Sequence, residues 1–221
     1  MRGTLASYAR VARHPVAVGN AAVLALGFGY LFAYVSSSSL VLIGLLGASQ
    51  RTYGACFAMT ALGLMAGSLT NARLTRRGVP HARILTAGLG VAAACALTLL
   101  VLAALGALRA WTLIPLVVLG NVAHGTARPN AAQGALEPLP DVVGVASALM
   151  SGLQMLVGAA ASAVAAALFD GRTALAMTGT MTVCALGALA VHQLVVRPAE
   201  RRHPVAPAGD AVDEEARALA A

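Results

Sequence analysis

Six apolar runs, each about 20 residues or longer, alternate along this chain with short segments that carry arginine. They extend approximately from Val16 to Val35, Thr52 to Ala72, Ile84 to Leu108, Ala110 to Leu136, Val142 to Phe169 and Thr173 to Val196. A run of that length covers the hydrocarbon core as a helix, the form that bonds every backbone polar group within its own segment. The expected fold is therefore an all-α membrane protein, six transmembrane helices forming one six-helix bundle over residues 16–196. Only 10% of the 221 residues are charged, against about a quarter in soluble domains, which nearly excludes a soluble globular chain.

All 15 basic residues are arginine, set against eight acids, for a net charge of +7. Nucleic-acid binders lay basic residues in a stripe over a polar surface; here they sit in clusters between uncharged runs, which reads as topology and not as a nucleic-acid partner. One side holds Arg2, Arg10, Arg13, Arg73, Arg76, Arg77, Arg83, Arg197, Arg201, Arg202 and Arg217; the other holds Arg51, Arg109 and Arg172. The positive-inside rule then puts both termini in the cytoplasm of a multi-pass inner-membrane protein, and the even number of spans agrees. The first run is too long for a signal-peptide core and lacks a convincing cleavage site, so it is read as retained. Residues 1–15 form a cytoplasmic segment, and after Val196 the composition turns to Pro, Ala and charge, predicting a mobile cytoplasmic tail over 197–221.

Between the first two runs, Ser36 to Ser39 precede a half-length apolar stretch ending at Ser49. That is too short to cross and is expected to be a loop or a shallow interfacial turn.

Polar residues inside spans mark candidate sites. In the fourth span Asn121, His124 and Arg128 stand at i, i+3 and i+7 and share one face. Two readings of Arg128 stand: a guanidinium snorkelling to the cytoplasmic surface, or one lining a cavity. In the fifth span Gly144, Ser147, Ser151, Gln154, Gly158 and Ser162 form a stripe at intervals of three and four, read chiefly as helix packing. Gln154 is large enough to contact substrate as well. Gly63 and Gly67 make a GxxxG pair in the second span, again a packing signal. In the first span Tyr34 reads as an interfacial anchor and Tyr30, nearer the middle, as an aromatic wall of a pocket.

Catalytic signals are weak. Cys56, Cys95 and Cys184 have no metal-ligand spacing, so no metal or cofactor is expected. Ser151 stands in Leu149-Met150-Ser151-Gly152 rather than GxSG, and His192 lies near a span end, so an intramembrane serine protease is not supported. No Asp or Glu lies deep in a span, which leaves His124 and the marginal His192 as titrating groups for any proton coupling.

Three stretches carry a resemblance: Phe57 to Leu74, which contains Gly67-Ser-Leu-Thr-Asn71-Ala-Arg73; Arg128-Pro-Asn-Ala-Ala-Gln-Gly-Ala-Leu136; and Ala146-Ser-Ala-Leu-Met-Ser-Gly-Leu-Gln154. Their order and spacing, over roughly Pro15 to Val196, resemble the carboxyl-terminal half of the Bcr/CflA drug-resistance transporters of the major facilitator superfamily. The resemblance implies six spans equivalent to helices seven to twelve of a twelve-helix exporter of hydrophobic compounds driven by proton antiport. It also implies two inverted three-helix repeats, with the first and fourth spans lining the cavity and the second and fifth meeting the other half. Tyr30, Asn121, His124, Arg128 and Gln154 would then be substrate-binding, while Gly67, Asn71, Arg73, Arg76, Arg77 and Gly78 would form the gating loop. Asn71 stands where many loops of the superfamily have aspartate, and Arg128 where the family more often has an apolar residue.

Alternating access needs two bundles, and this chain supplies one. A partner bundle is therefore expected, either a separately encoded half or a second copy, besides the lipid bilayer and a small-molecule substrate. The other reading is a non-transporting assembly partner or a truncated vestigial product.

Overall fold

The computed structural model describes residues 13–202, and no strand occurs among them. Helix α1 spans Pro15–Ser39 and continues as a π-helical stretch, Leu40–Leu45. Helices α2, α3 and α4 span Gln50–Arg76, His81–Ala104 and Ala110–Leu136. A single 3-10 turn, Pro140–Val142, leads into α5, Val143–Ala167. Helix α6, Leu175–Val191, runs through a π-helical turn, His192–Val196, into the short α7, Arg197–Arg202. Six of these helical stretches are long and apolar enough to cross a membrane.

Local chemistry explains the ends. Ser49 caps α2, its hydroxyl accepting from the Thr52 amide at 3.1 Å. Helix α2 closes at Gly78, whose φ of +73° lets the Val79 amide reach back to the Leu74 carbonyl and the Gly78 amide to Thr75. That reversal satisfies two terminal carbonyls and needs a residue without a β-carbon. Gly106 ends α3 in the same way, with Ala107 bonding Leu102.

Two expectations are corrected. The Ser36–Ser49 stretch is mostly helix, because the serine hydroxyls turn back onto their own helix: Ser36 donates to the Phe32 carbonyl at 2.8 Å and Ser38 to Val35 at 3.3 Å. These two hydroxyls are thus satisfied within the helix, and a polar run that looks like a loop stays helical. Only residues 46–49 connect to α2. The tail expected from Arg197 starts instead with α7, continuous with α6; its remainder, 203–221, and residues 1–12 of the amino-terminal segment lie outside the described residues.

The packing has a simple order. Helix α1 packs on α5, α6 and α4; α4 packs on α2, α3 and α1; and α3 packs on α6. Exchanging α1 with α4, α2 with α5 and α3 with α6 leaves this set of principal contacts unchanged. Contacts between α1 and α4 run in opposite chain directions, from Asn20 against Gly134 to Tyr30 against Gly120. The two central helices are the most enclosed, whereas α2 and α5 each pack mainly along one side. Their outer faces are apolar, with Met59, Leu62, Met65 and Leu69 on α2 and Met155 and Leu156 on α5 exposed. Leu99, Leu113, Val117, Met177 and Met181 fill the centre.

Small residues set the closest approaches, as expected where lipid removes the hydrophobic drive between helices. A β-carbon on Gly63 would sit 2.9 Å from the Val118 carbonyl oxygen, and one on Gly67 would overlap the Val122 carbonyl. The GxxxG pair is thus the α2 side of the α2–α4 seam. On α5 the equivalent seam against α1 is built by Gly158, beneath Phe28, and by Ser162, whose hydroxyl donates to the Phe32 carbonyl at 3.3 Å. Ser147 is half-buried, and Gly144 and Ser151 are exposed outside that seam.

Candidate functional site

Tyr30 and His124 come together where α1 crosses α4. Their ring centroids are 6.3 Å apart, and both side chains are enclosed, Tyr30 at 1% and His124 at 7% exposure. Glycines make the crossing possible: the imidazole rests over Gly27 and the phenol over Gly120. The Tyr30 hydroxyl is buried and accepts or donates no hydrogen bond. Tyr34, expected as an interfacial anchor, is buried as well and stacks toward Phe57 of α2 at 6.5 Å.

Asn121 is turned to the α2–α4 seam, where its amide donates to the Thr60 carbonyl at 3.0 Å while its own Oδ1 has no partner. Arg128 lies nearly in line with Asn121 around the helix, yet it is exposed. The three polar residues of the fourth span therefore point to three settings: Asn121 to α2, His124 to α1, and Arg128 to the outside of the bundle. Gln154 is half-buried on α5, with its amide folded back to the Met150 carbonyl at 3.3 Å.

Of the loop residues, Gly67 is buried in the seam described above. Arg73, Arg76, Arg77 and Gly78 are exposed at the end of α2. Asn71 is half-buried and joins a chain of side chains: Asn130 donates to Asn71 Oδ1 at 2.7 Å, and Asn130 Oδ1 accepts from His81 Nδ1 at 2.7 Å. One turn deeper, Thr126 donates to the Gly67 carbonyl at 3.1 Å. Gly67 with Thr126 and Asn71 with Asn130 advance by four residues on each helix, so one register runs along the whole seam.

Asn130 and His81, and the place of Asn20 beside them, escaped sequence reasoning. Asn130 falls off the i, i+3, i+7 face of Asn121, and its signal was the matching four-residue step on two parallel helices. With Gln133, Glu137 and Glu200, these three line a polar crevice of about 80 Å³ at the end of the bundle that holds the α2–α3 connection. Asn20 sits in its wall at 1% exposure, and its Oδ1 is unpartnered. A larger apolar groove of about 550 Å³ lies between α5 and α6, bordered by Val157, Val164, Leu168, Leu175 and Val183. Neither recess holds Tyr30, His124 or Gln154. Among the described residues, no group of three or more His, Cys, Asp or Glu is placed to hold a metal ion.

No family model, no curated protein and no solved structure matches this chain.

Proposed function

We propose that this chain is one six-helix bundle of a major-facilitator-type exporter of small amphipathic compounds, working by proton antiport against a second bundle in the inner membrane, with both termini cytoplasmic. The observation that carries the reading is the exchange symmetry of the packing, α1 with α4, α2 with α5 and α3 with α6. Because α1 and α4 run in opposite directions, the exchange relates two inverted three-helix units, an organisation typical of transporters that rock about a central site. The thinly covered α2 and α5 then offer the faces a second bundle would meet, with Met-rich apolar surfaces suited to sliding contact.

In this arrangement Arg128 and Gln154 are on accessible surface, whereas Tyr30, Asn121 and His124 are enclosed within the bundle. Substrate would reach the enclosed three only when α1 and α4 separate. Their enclosure favours the second reading, in which the chain is a non-transporting assembly partner and these residues hold helices together. Efflux of a cationic dye from proteoliposomes under a proton gradient tests the proposal. The purified chain alone should give none, and efflux should appear when a complementary six-helix bundle is co-reconstituted. Efflux by the single chain would overturn the need for a partner. Failure with every bundle that cross-links to it in native membranes would leave the assembly reading.

A further inference from the structure

The carboxyl-terminal end of the sixth span builds a second kind of site. Gln193, Arg197, Pro198, Arg201 and Arg202 border a surface groove of about 290 Å³. Gln193, Arg197 and Arg201 follow one another at intervals of four, so they lie along one face of the helix. The Arg197 guanidinium donates to Gln193 Oε1 at 2.9 Å, which fixes its direction and leaves further N–H groups free to bond an incoming acceptor. The nearest acid on this stretch, Glu200, borders the polar crevice with Asn20 and His81 and not the arginine groove. Among the described residues, three arginines border this space and no carboxylate does.

The depth of this groove identifies its ligand. From Leu175 to Arg197 the helix rises about 33 Å, close to the roughly 30 Å hydrocarbon thickness, so Arg197 comes out at headgroup level if Leu175 begins the span. Directly inside it, Leu194 is 76% exposed and Val195 42%, an open apolar surface against which acyl chains lie. Guanidinium forks match phosphate oxygens in geometry and charge. A molecule that fits both parts carries a phosphodiester at the arginines and hydrocarbon along Leu194 and Val195.

We propose that this groove binds the headgroup of an anionic phospholipid, seated on Arg197, Arg201 and Arg202. The site does not depend on which leaflet it faces, on transport or on a partner bundle.

The test uses the full chain in detergent, titrated with dioleoyl-phosphatidylglycerol or dioleoyl-phosphatidylcholine and read by native mass spectrometry and by thermal unfolding. Phosphatidylglycerol should bind and raise the melting temperature, and phosphatidylcholine should not. R197Q/R201Q/R202Q should weaken phosphatidylglycerol binding on the order of tenfold while melting normally in phosphatidylcholine, which shows that it folds. The charge-matched R73Q/R76Q/R77Q should bind as the parent does. Equal losses in both triple variants would overturn the proposal in favour of general surface charge. Inorganic phosphate that stabilises the chain as strongly as the lipid would overturn it in favour of a free-anion site.

Discussion

Gly27 of α1 lies under the imidazole of His124 of α4, so close that a β-carbon at position 27 would overlap the ring. One turn away on each helix, the roles reverse. Gly120 of α4 leaves room for the phenol of Tyr30 of α1, and a β-carbon there would strike the hydroxyl oxygen. Each central helix thus offers a small residue to the other's aromatic one, the kind of close approach that packs helices in lipid.

Gly120→Ala should destabilise the bundle by about 1–3 kcal/mol, the usual cost of forcing an extra methyl into a filled space. Tyr30→Phe should be close to neutral or stabilising, because the hydroxyl it removes is buried without a partner. Since that oxygen is the nearest atom to the added methyl, with ring carbon Cζ next at 3.4 Å, the double variant should recover much of the loss. A double-mutant cycle in denaturant titrations measures the coupling. Strict additivity would remove the proposed contact.

The glycines on the outer helices should separate by what faces them. Gly67→Ala meets backbone, the Val122 carbonyl and the Gly125 Cα, which cannot rotate away. It should be the most damaging, at about 3 kcal/mol or more. Gly158→Ala meets the edge of the Phe28 ring at 2.8 Å, a side chain able to shift, and should cost less. Gly144 has nothing within 4 Å, so Gly144→Ala should stabilise α5 by up to about 1 kcal/mol through helix propensity. Melting temperatures of the three single variants, ranked in one detergent, check the order.

The contrast between these glycines shows what could be read in advance. Long apolar runs specify six spanning helices because the bilayer forbids unpaired backbone groups, and arginine placement speaks only to orientation. The stripe Gly144 to Ser162 was legible as small residues at helical spacing, but spacing alone does not say that Gly158 and Ser162 meet α1 while Gly144 and Ser151 stay open. Arg128 and Asn121 share a helical face in sequence, yet α2 covers one and leaves the other open; that depends on a neighbour sixty residues away. The serine run misled because hydroxyls that bond their own helix look, in sequence, like those of a loop. Asn130 was hidden because its partners, Asn71 and His81, belong to other helices.

The chain from Asn71 through Asn130 to His81 ties the end of α2 to the start of α3 by way of α4. Asn130→Ala removes the shared member and leaves the Asn71 carbonyl oxygen and His81 Nδ1 without it. A loss of about 1–3 kcal/mol is expected, together with faster proteolysis in the α2–α3 connection at Arg76 and Arg77. Asn71→Ala combined with Asn130→Ala should cost less than the sum of the two, by about 0.5–1 kcal/mol. Trypsin cleavage rates and unfolding titrations on the same variants provide the check, and unchanged cleavage would separate the network from loop order.

On the opposite side of the bundle, the α5–α6 turn is organised by one carboxylate. Asp170 accepts from the Arg172 amide at 2.9 Å, from the Thr173 amide at 2.8 Å and from the Thr173 hydroxyl at 2.9 Å. These bonds favour the ionised form and hold its pKa down at about 2, the Arg172 amide contributing most. A carboxylate whose folded pKa lies below its unfolded value of about 3.9 supports the fold above that value. Its contribution is then lost progressively as pH falls from about 4 toward 2. Amide protection of Arg172 and Thr173 should therefore be steady down to pH 4 and decline below it. In Asp170→Asn the turn keeps a weaker, uncharged acceptor, and the decline should vanish. Hydrogen exchange across that window, compared in the two proteins, reads the effect directly. A parallel decline in both would assign the acid sensitivity to groups other than Asp170.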